Sequence, residues 1–267
     1  MIQKNYGIYN SDLVNQQLFI EVGKNHLACW SCKQGENKFS AFEFFQCDNY
    51  DASSFEKLIN QIKLYSKLLT IDVEKVVILW ITDTNLAIPS EFANDENFIK
   101  NNFYLLYGQN GDAKLISRNC DNYLLVTSVE KYLYNAAHHI FSKAGFEPAS
   151  CVNKKVEGDL AELFFYPNYC SITVYKNGAV HFLQTKYYQQ PEDVLYFILD
   201  VFQQYNIEKN IEIIAGGFID AQSNLYNLLY QYLEGLKLGS VNEDWFASGD
   251  FDEYPSHYFL PYINYFV

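Results

Sequence analysis

Gln17 to Cys32 reads QLFIEVGKNHLACWSC, two runs rich in apolar and aromatic residues on either side of Gly23-Lys24-Asn25. A glycine and an asparagine between two such runs are hairpin-turn chemistry, so the stretch predicts antiparallel strands over Gln17 to Val22 and His26 to Cys32. Lys38 to Gln46 follows another turn, Gln34-Gly35-Glu36-Asn37, and extends the pair to a three-stranded meander. Asp51-Ala52-Ser53-Ser54 then supplies capping residues ahead of Phe55, Leu58, Ile59, Ile62, Tyr65, Leu68 and Leu69, which recur at helical spacing. Lys75 to Ile81, KVVILWI, is a continuous apolar run of the kind that forms a strand buried on both faces of a sheet.

The same order of signals returns further along. Leu160 to Tyr166, a turn at Pro167-Asn168, Cys170 to Tyr175, a turn at Lys176-Asn177-Gly178 and Val180 to Lys186 make a second meander. Pro191-Glu192-Asp193 opens a helix, with proline in the first turn and acids where the helix dipole favours them, and Ile211 to Ala215 gives a further strand. Three antiparallel strands, a helix and a buried strand, found twice, predict a duplicated domain. Between the copies, Asn122 to Val126 reads as a strand and Ser128-Val129-Glu130-Lys131 as the cap of a helix over Tyr132 to Lys143. Ala144-Gly145-Phe146-Glu147-Pro148 is its stop signal, and a strand can follow it. The boundary falls near Ser150, giving lobes 1–150 and 151–267.

Composition narrows the function classes. The net charge is −13, with 32 acidic against 19 basic residues, which repels nucleic-acid backbones and anionic lipid heads. The densest basic cluster is the dipeptide Lys154-Lys155, read as a solvated loop. No apolar run has membrane-spanning length and Met1 to Asn10 lacks the apolar region of a secretory signal, so a cytoplasmic protein without membrane insertion is expected. Six cysteines spread over 267 residues fit reduced thiols better than a disulfide framework, and no disulfide is expected. Aromatic residues make up 18% of the chain, which suits either a ring-filled core or a protein-binding surface.

Two segments together carry a family resemblance: NYLLVTSVEKYLYNAAHHIFSKAGFEPASCV at Asn122 to Val152, and SITVYKNGAVHFLQTKYYQ with the following helix and IEIIAGGF, spanning Ser171 to Phe218. They resemble the actin-like ATPase superfold, and within it the pilus-assembly and type II secretion proteins of the PilM kind. The chain is also similar to an uncharacterised bacterial family of unknown function. The resemblance implies an α/β protein of two duplicated ribonuclease H-like lobes, each a mixed sheet with a three-stranded antiparallel meander plus helices. It further implies a nucleotide site in which glycine-containing turns let backbone N–H groups approach phosphate. Glu21-Val22-Gly23 stands where the superfold has D-x-G, and Gly216-Gly217 resembles its adenosine-contacting turn. The second-lobe counterpart of the first turn, Tyr166-Pro167-Asn168-Tyr169, has neither Asp nor Gly, and proline removes an N–H donor.

The expected function is therefore a non-catalytic scaffold or adaptor with an unidentified protein partner and no cofactor. The alternative is an ATP-binding protein or weak ATPase, with ATP and Mg²⁺ held between the lobes by Glu21, Gly23, Gly216 and Gly217. WFASGDFDEYPSHYFLPYINYFV, from Trp245 to the end, alternates rings with acids; Trp245, Phe246, Phe251 and Tyr254 are candidate partner-binding residues. This segment is expected to return over the cleft or the first lobe.

Other motifs are read as structural. Cys29-Trp30-Ser31-Cys32 has C-x-x-C spacing, but on a strand residues three apart point to opposite faces and there is no second ligand pair. His138-His139 on a helix diverge by about 100°, one expected to face the core and one solvent. His26, His181 and His257 are isolated hydrogen-bonding residues, and no serine sits in a G-x-S-x-G elbow, so no catalytic residue is assigned.

Overall fold

Strands dominate the start of the chain because its apolar residues are too continuous for one helix stripe and are broken by turn residues every eight to ten positions. The structure, a computed structural model, describes residues 2–9, 16–33, 38–73, 75–150, 156–208, 210–247 and 249–266. The turn expected at Gln34 to Asn37 and the Lys154-Lys155 pair lie outside them. The chain divides into two units, residues 1–151 with 242–253, and residues 152–241 with 254–267.

In the first unit β1 (Ile2–Tyr9), β2 (Gln16–Gly23), β3 (His26–Lys33) and β4 (Phe39–Cys47) are antiparallel neighbours in the order β1-β4-β3-β2. Helix α1 (Ala52–Lys63) returns the chain to β5 (Lys75–Trp80), which lies parallel to β2. Asp51 is the N-cap of α1: its carboxylate accepts the Ser54 N–H at 2.9 Å and the Ser53 and Ser54 hydroxyls at 2.8 and 2.7 Å. Phe55, Ile59 and Ile62 on α1 pack with Leu18, Ile20 and Ile78 of the sheet in one core. The helix ends at Lys63 instead of reaching Leu69. Leu64 and Tyr65 are exposed, and Leu68 enters the core from a short 3-10 turn.

A part of the first unit that sequence periodicity left unread follows. Strand β6 (Asn85–Pro89), helix α2 (Glu96–Tyr107), β7 (Ala113–Asn119) and β8 (Tyr123–Glu130) form a separate sheet in the order β6-β8-β7, with α2 on one face. The strand read at Asn122 to Val126 therefore belongs to this second sheet. Ser128 and Val129 are not caps but continue β8, and α3 (Lys131–Ile140) starts after Glu130 without a side-chain cap. Strand β9 (Gly145–Pro148) then completes the main sheet beside β5, parallel to it. Both His138 and His139 are exposed, which corrects the expectation of one facing the core; His138 instead lays its ring against Phe146 at 5.9 Å.

The second unit repeats the plan. Strands β10 (Leu160–Phe165), β11 (Tyr169–Lys176) and β12 (Ala179–Tyr187) form the meander. The β11–β12 turn has Asn177 and Gly178 both at positive φ, 52° and 79°, the conformation a two-residue hairpin turn requires. Helix α4 (Pro191–Gln204) leads to β13 (Glu212–Gly217), parallel to β10, and α5 (Asn224–Tyr232) leads to β14 (Leu236–Leu238). The order β12-β11-β10-β13-β14 matches β4-β3-β2-β5-β9 strand for strand and sense for sense. The short α6 (Leu260–Ile263) closes the second unit.

Candidate functional site

In the first unit Glu21 sits two residues before the β2–β3 turn and is 3% exposed, with Oε1 3.1 Å from Nε2 of His26. His26 is fully buried and stacks on Phe44 at 5.3 Å. Burying a carboxylate is costly, and the adjacent imidazole offsets part of that cost. The Gly23 carbonyl accepts the Tyr50 hydroxyl at 2.6 Å, and the Asn25 carbonyl accepts the Cys47 N–H at 2.9 Å. The turn is thereby tied to its own unit through both of these carbonyls.

The matching turn of the second unit is flanked by two buried rings. Tyr166 donates its N–H to the Tyr169 carbonyl at 3.0 Å, and the two rings stack at 4.6 Å with 16° between their planes. Tyr187 meets Tyr169 edge-on at 5.5 Å, and the Tyr188 hydroxyl donates to the Tyr166 carbonyl at 3.2 Å. Burial pushes the Tyr188 hydroxyl up to about 12, so it stays protonated and donating at neutral pH.

The glycine pair at the end of β13 has two separate reasons to lack side chains. Gly217 has φ +78°, and a Cβ there would lie 2.3 Å from the Phe165 carbonyl oxygen, so the close pass of β10 demands glycine. At Gly216 a Cβ would lie 2.9 Å from Cβ of Leu260 and 3.1 Å from the His257 carbonyl oxygen. The C-terminal residues thus rest directly on this turn. His257 Nε2 lies 2.8 Å from the Ile219 carbonyl, and Tyr258 donates to the Asp220 carboxylate. Farther along, Asn264 Nδ2 approaches both oxygens of the buried Glu162 at 3.2 Å, and Tyr175 donates to the same carboxylate at 2.9 Å. No local pattern announces these contacts, because Gly216 and Leu260 meet only after the chain has passed through α5 and β14.

Of the four ring residues proposed for partner binding, Phe251 is withdrawn into the first unit at 1% exposure. It stacks on Phe246 at 4.7 Å, and both rings meet Phe39 edge-on, at 6.4 and 6.3 Å. Phe246 also bridges to Phe39 through the backbone, and Ala247 N–H donates to the Phe39 carbonyl at 2.9 Å. Trp245 and Tyr254 are half-buried.

Cys29 and Cys32 are both buried within β3, where burial drives their thiols well up and keeps them protonated. Among the described residues no group of three or more His, Cys, Asp or Glu side chains is arranged to hold a metal ion. The expectation of no disulfide is corrected at Cys120, which is disulfide-bonded. Dilution along the sequence does not measure distance in space, and a sheet can bring remote cysteines together. No helix among the described residues is long and apolar enough to cross a membrane.

Two units that share a five-strand arrangement, a three-stranded meander whose first strand is followed in the sheet by two parallel strands, with β1 added at the edge of the first, define the class: the chain has the actin-like ATPase fold. Residues 9–236 match the model of one family, and the chain belongs to it: DUF3822, a protein family of unknown function. A search of the curated proteins finds no match. Among solved structures, a Bacteroides thetaiotaomicron protein with actin-like ATPase fold and unknown function superposes with a TM-score of 0.70 at 15% identity, over 86% of this chain and 93% of that one. The PilM-PilN type IV pilus biogenesis complex gives a TM-score of 0.60 at 10% identity, over 93% of this chain and 96% of that one. The ethanolamine utilization protein EutJ from Carboxydothermus hydrogenoformans gives 0.53 at 8% identity, over 96% and 91%.

Proposed function

We propose that this chain is a non-catalytic scaffold or adaptor that works through protein–protein contacts and has no nucleotide-hydrolysing activity. The observation that carries the reading is the stack of Tyr166 on Tyr169 across the second-unit hairpin turn, beside Pro167. A phosphate-binding turn needs backbone N–H groups pointing into open space, and here Pro167 has no N–H and the Tyr166 N–H is taken up by the Tyr169 carbonyl. Support comes from Glu21, which is buried against His26, and from Gly216, whose open side is taken by Leu260 and His257. A protein of the same fold, PilM, is found in a complex with PilN, which favours a partner protein as the ligand here also. A cytoplasmic location belongs to the same proposal.

Thermal unfolding with and without Mg-ATP tests it. A ligand at about 100 times its dissociation constant adds about 2.7 kcal/mol of stability, so even weak binding moves the midpoint at millimolar nucleotide. The midpoint is expected to stay where it is. A saturable rise, abolished by Glu21→Ala, would replace this reading with the ATP-binding one.

A further inference from the structure

Helix α4 carries Asp193, Tyr196, Phe197 and Asp200 at positions i, i+3, i+4 and i+7, which places them on one face. That face meets the end of β12 at Lys186, Tyr187 and Tyr188 around a cavity of about 270 Å³ floored by Cys170 and Val194. Its rim is aromatic and open: Tyr196 is 74% exposed and Tyr187 37%. A ring left that far in water adds little to packing, and a tyrosine at the rim of an apolar cavity is suited to bind something that comes from outside.

The charge says what. Asp193 is held below the usual carboxylate range by the N–H groups of Gln189 and Gln190, at 2.9 and 3.1 Å, and so carries its charge into the pocket wall. Asp200 accepts the Gln204 side-chain amide at 2.8 Å through Oδ2, and among the described residues no hydrogen bond reaches Oδ1. Lys186 contributes its stem to the rim while its exposed side chain can turn its ammonium into water. An apolar floor, two ring faces and two carboxylates suit a cation at the end of a hydrocarbon stem.

We propose that this pocket receives a lysine or arginine side chain of a protein partner, the stem lying over Val194 and Phe197 and the cation meeting Tyr196 and Asp200. The proposal deepens the scaffold reading and rests on it only for the ligand being protein-borne. The floor of the pocket is apolar, its thiol, Cys170, is buried and protonated, and its wall sets two carboxylates, Asp193 and Asp200, against one ammonium, Lys186, which favours a cationic ligand over a phosphate or carboxylate.

The test uses the full chain and three probes: the blocked peptide Gly-Gly-Lys-Gly-Gly, its norleucine analogue, and butylammonium. Saturable binding of the lysine peptide is expected, weakened about tenfold by Asp200→Asn and by Tyr196→Ala, which is about 1.4 kcal/mol each. Tyr230→Ala, which removes a 63% exposed ring on α5 outside the pocket, is expected to leave it unchanged. Equal binding of the norleucine peptide, indifference to both pocket variants, or no saturation by roughly 10 mM peptide would overturn the proposal. Butylammonium binding without peptide binding would overturn the protein-borne ligand and reassign the pocket to small amines. A nucleotide-induced rise in unfolding midpoint would remove the scaffold reading without altering the peptide result, so the two failures are distinct.

Discussion

Leu260 lies against Gly216 so closely that an added Cβ would stand 2.9 Å from the leucine Cβ. The same leucine approaches Gly239, where a Cβ would meet its Cδ1 at 2.3 Å. One apolar side chain near the end of the chain is therefore fitted between two glycines, and the turn after β13 is shaped by it.

Gly216→Ala is expected to destabilise the protein by about 1 to 3 kcal/mol through overpacking. Gly217→Ala should cost at least as much, about 2 kcal/mol or more, because it adds strain at φ +78° to a collision with the backbone of Phe165. Gly111→Ala, with nothing within 4 Å of its Cβ, is the control and should stay within about 0.5 kcal/mol. Urea unfolding reads all three; a Gly216→Ala midpoint equal to the control would remove the tail from this turn.

Glu43 is fully buried and gathers donors from two separate segments, β1 and the residues after α1. Lys4 Nζ lies 2.9 Å away, the Lys67 N–H donates at 2.8 Å, and the Tyr9 and Ser66 hydroxyls also donate to it. Lys4→Met leaves the carboxylate buried without its cation and should cost about 2 kcal/mol, less than a fully desolvated pair because Lys4 is partly exposed. Adding Glu43→Gln should cost less than the sum of the single changes. Strictly additive values would show that the pair does not hold β1 to the sheet.

The Asp51 cap makes a pH prediction. Hydrogen bonds from the Ser54 and Ser53 hydroxyls and the Ser54 N–H lower its carboxyl to about 2 in the folded protein, against about 3.9 unfolded. A depressed folded value means the stabilisation is complete above the unfolded value and is lost as pH falls through the folded one. The stability gap between the wild type and Asp51→Asn should therefore be constant above about pH 5 and shrink from about pH 4 toward pH 2. A gap that widens on acidification would contradict the cap.

Alkylation under denaturing conditions, on protein purified without reductant, should modify Cys29, Cys32, Cys47 and Cys170 but not Cys120. Modification of Cys120 before reduction would refute the disulfide and favour the fully reduced protein read from composition.

The elements readable from sequence were those whose signals are local. The Gly23-Lys24-Asn25 and Asn177-Gly178 turns, the KVVILW strand and the Asp51 cap each depend on residues within a few positions, and the repeated order of such signals gave the two units. Strand β6 escapes because it is five residues long, with a buried Asn85 at one end and Pro89 at the other, β7 because a single buried residue, Ile116, stands among exposed and half-buried ones, and β1 because its inward side includes Lys4 and only Ile8 is fully buried. The helical spacing runs on past the end of α1 because Leu68 reaches the same core as Phe55 from outside the helix. At the candidate site the hairpin tyrosines and the glycine pair were visible, whereas their covering by Tyr187, His257 and Leu260 depends on long-range packing that no spacing encodes.

The first unit takes in residues 242–253, so its gene segment is interrupted by nearly the whole of the second. During translation Phe39 emerges early but waits for Phe246 and Phe251, which leave the ribosome only after β10 to β14 have been made. The half that starts first is thus finished after most of the other, and a fragment stopped at residue 150 would carry an unfilled aromatic socket for chaperones to find.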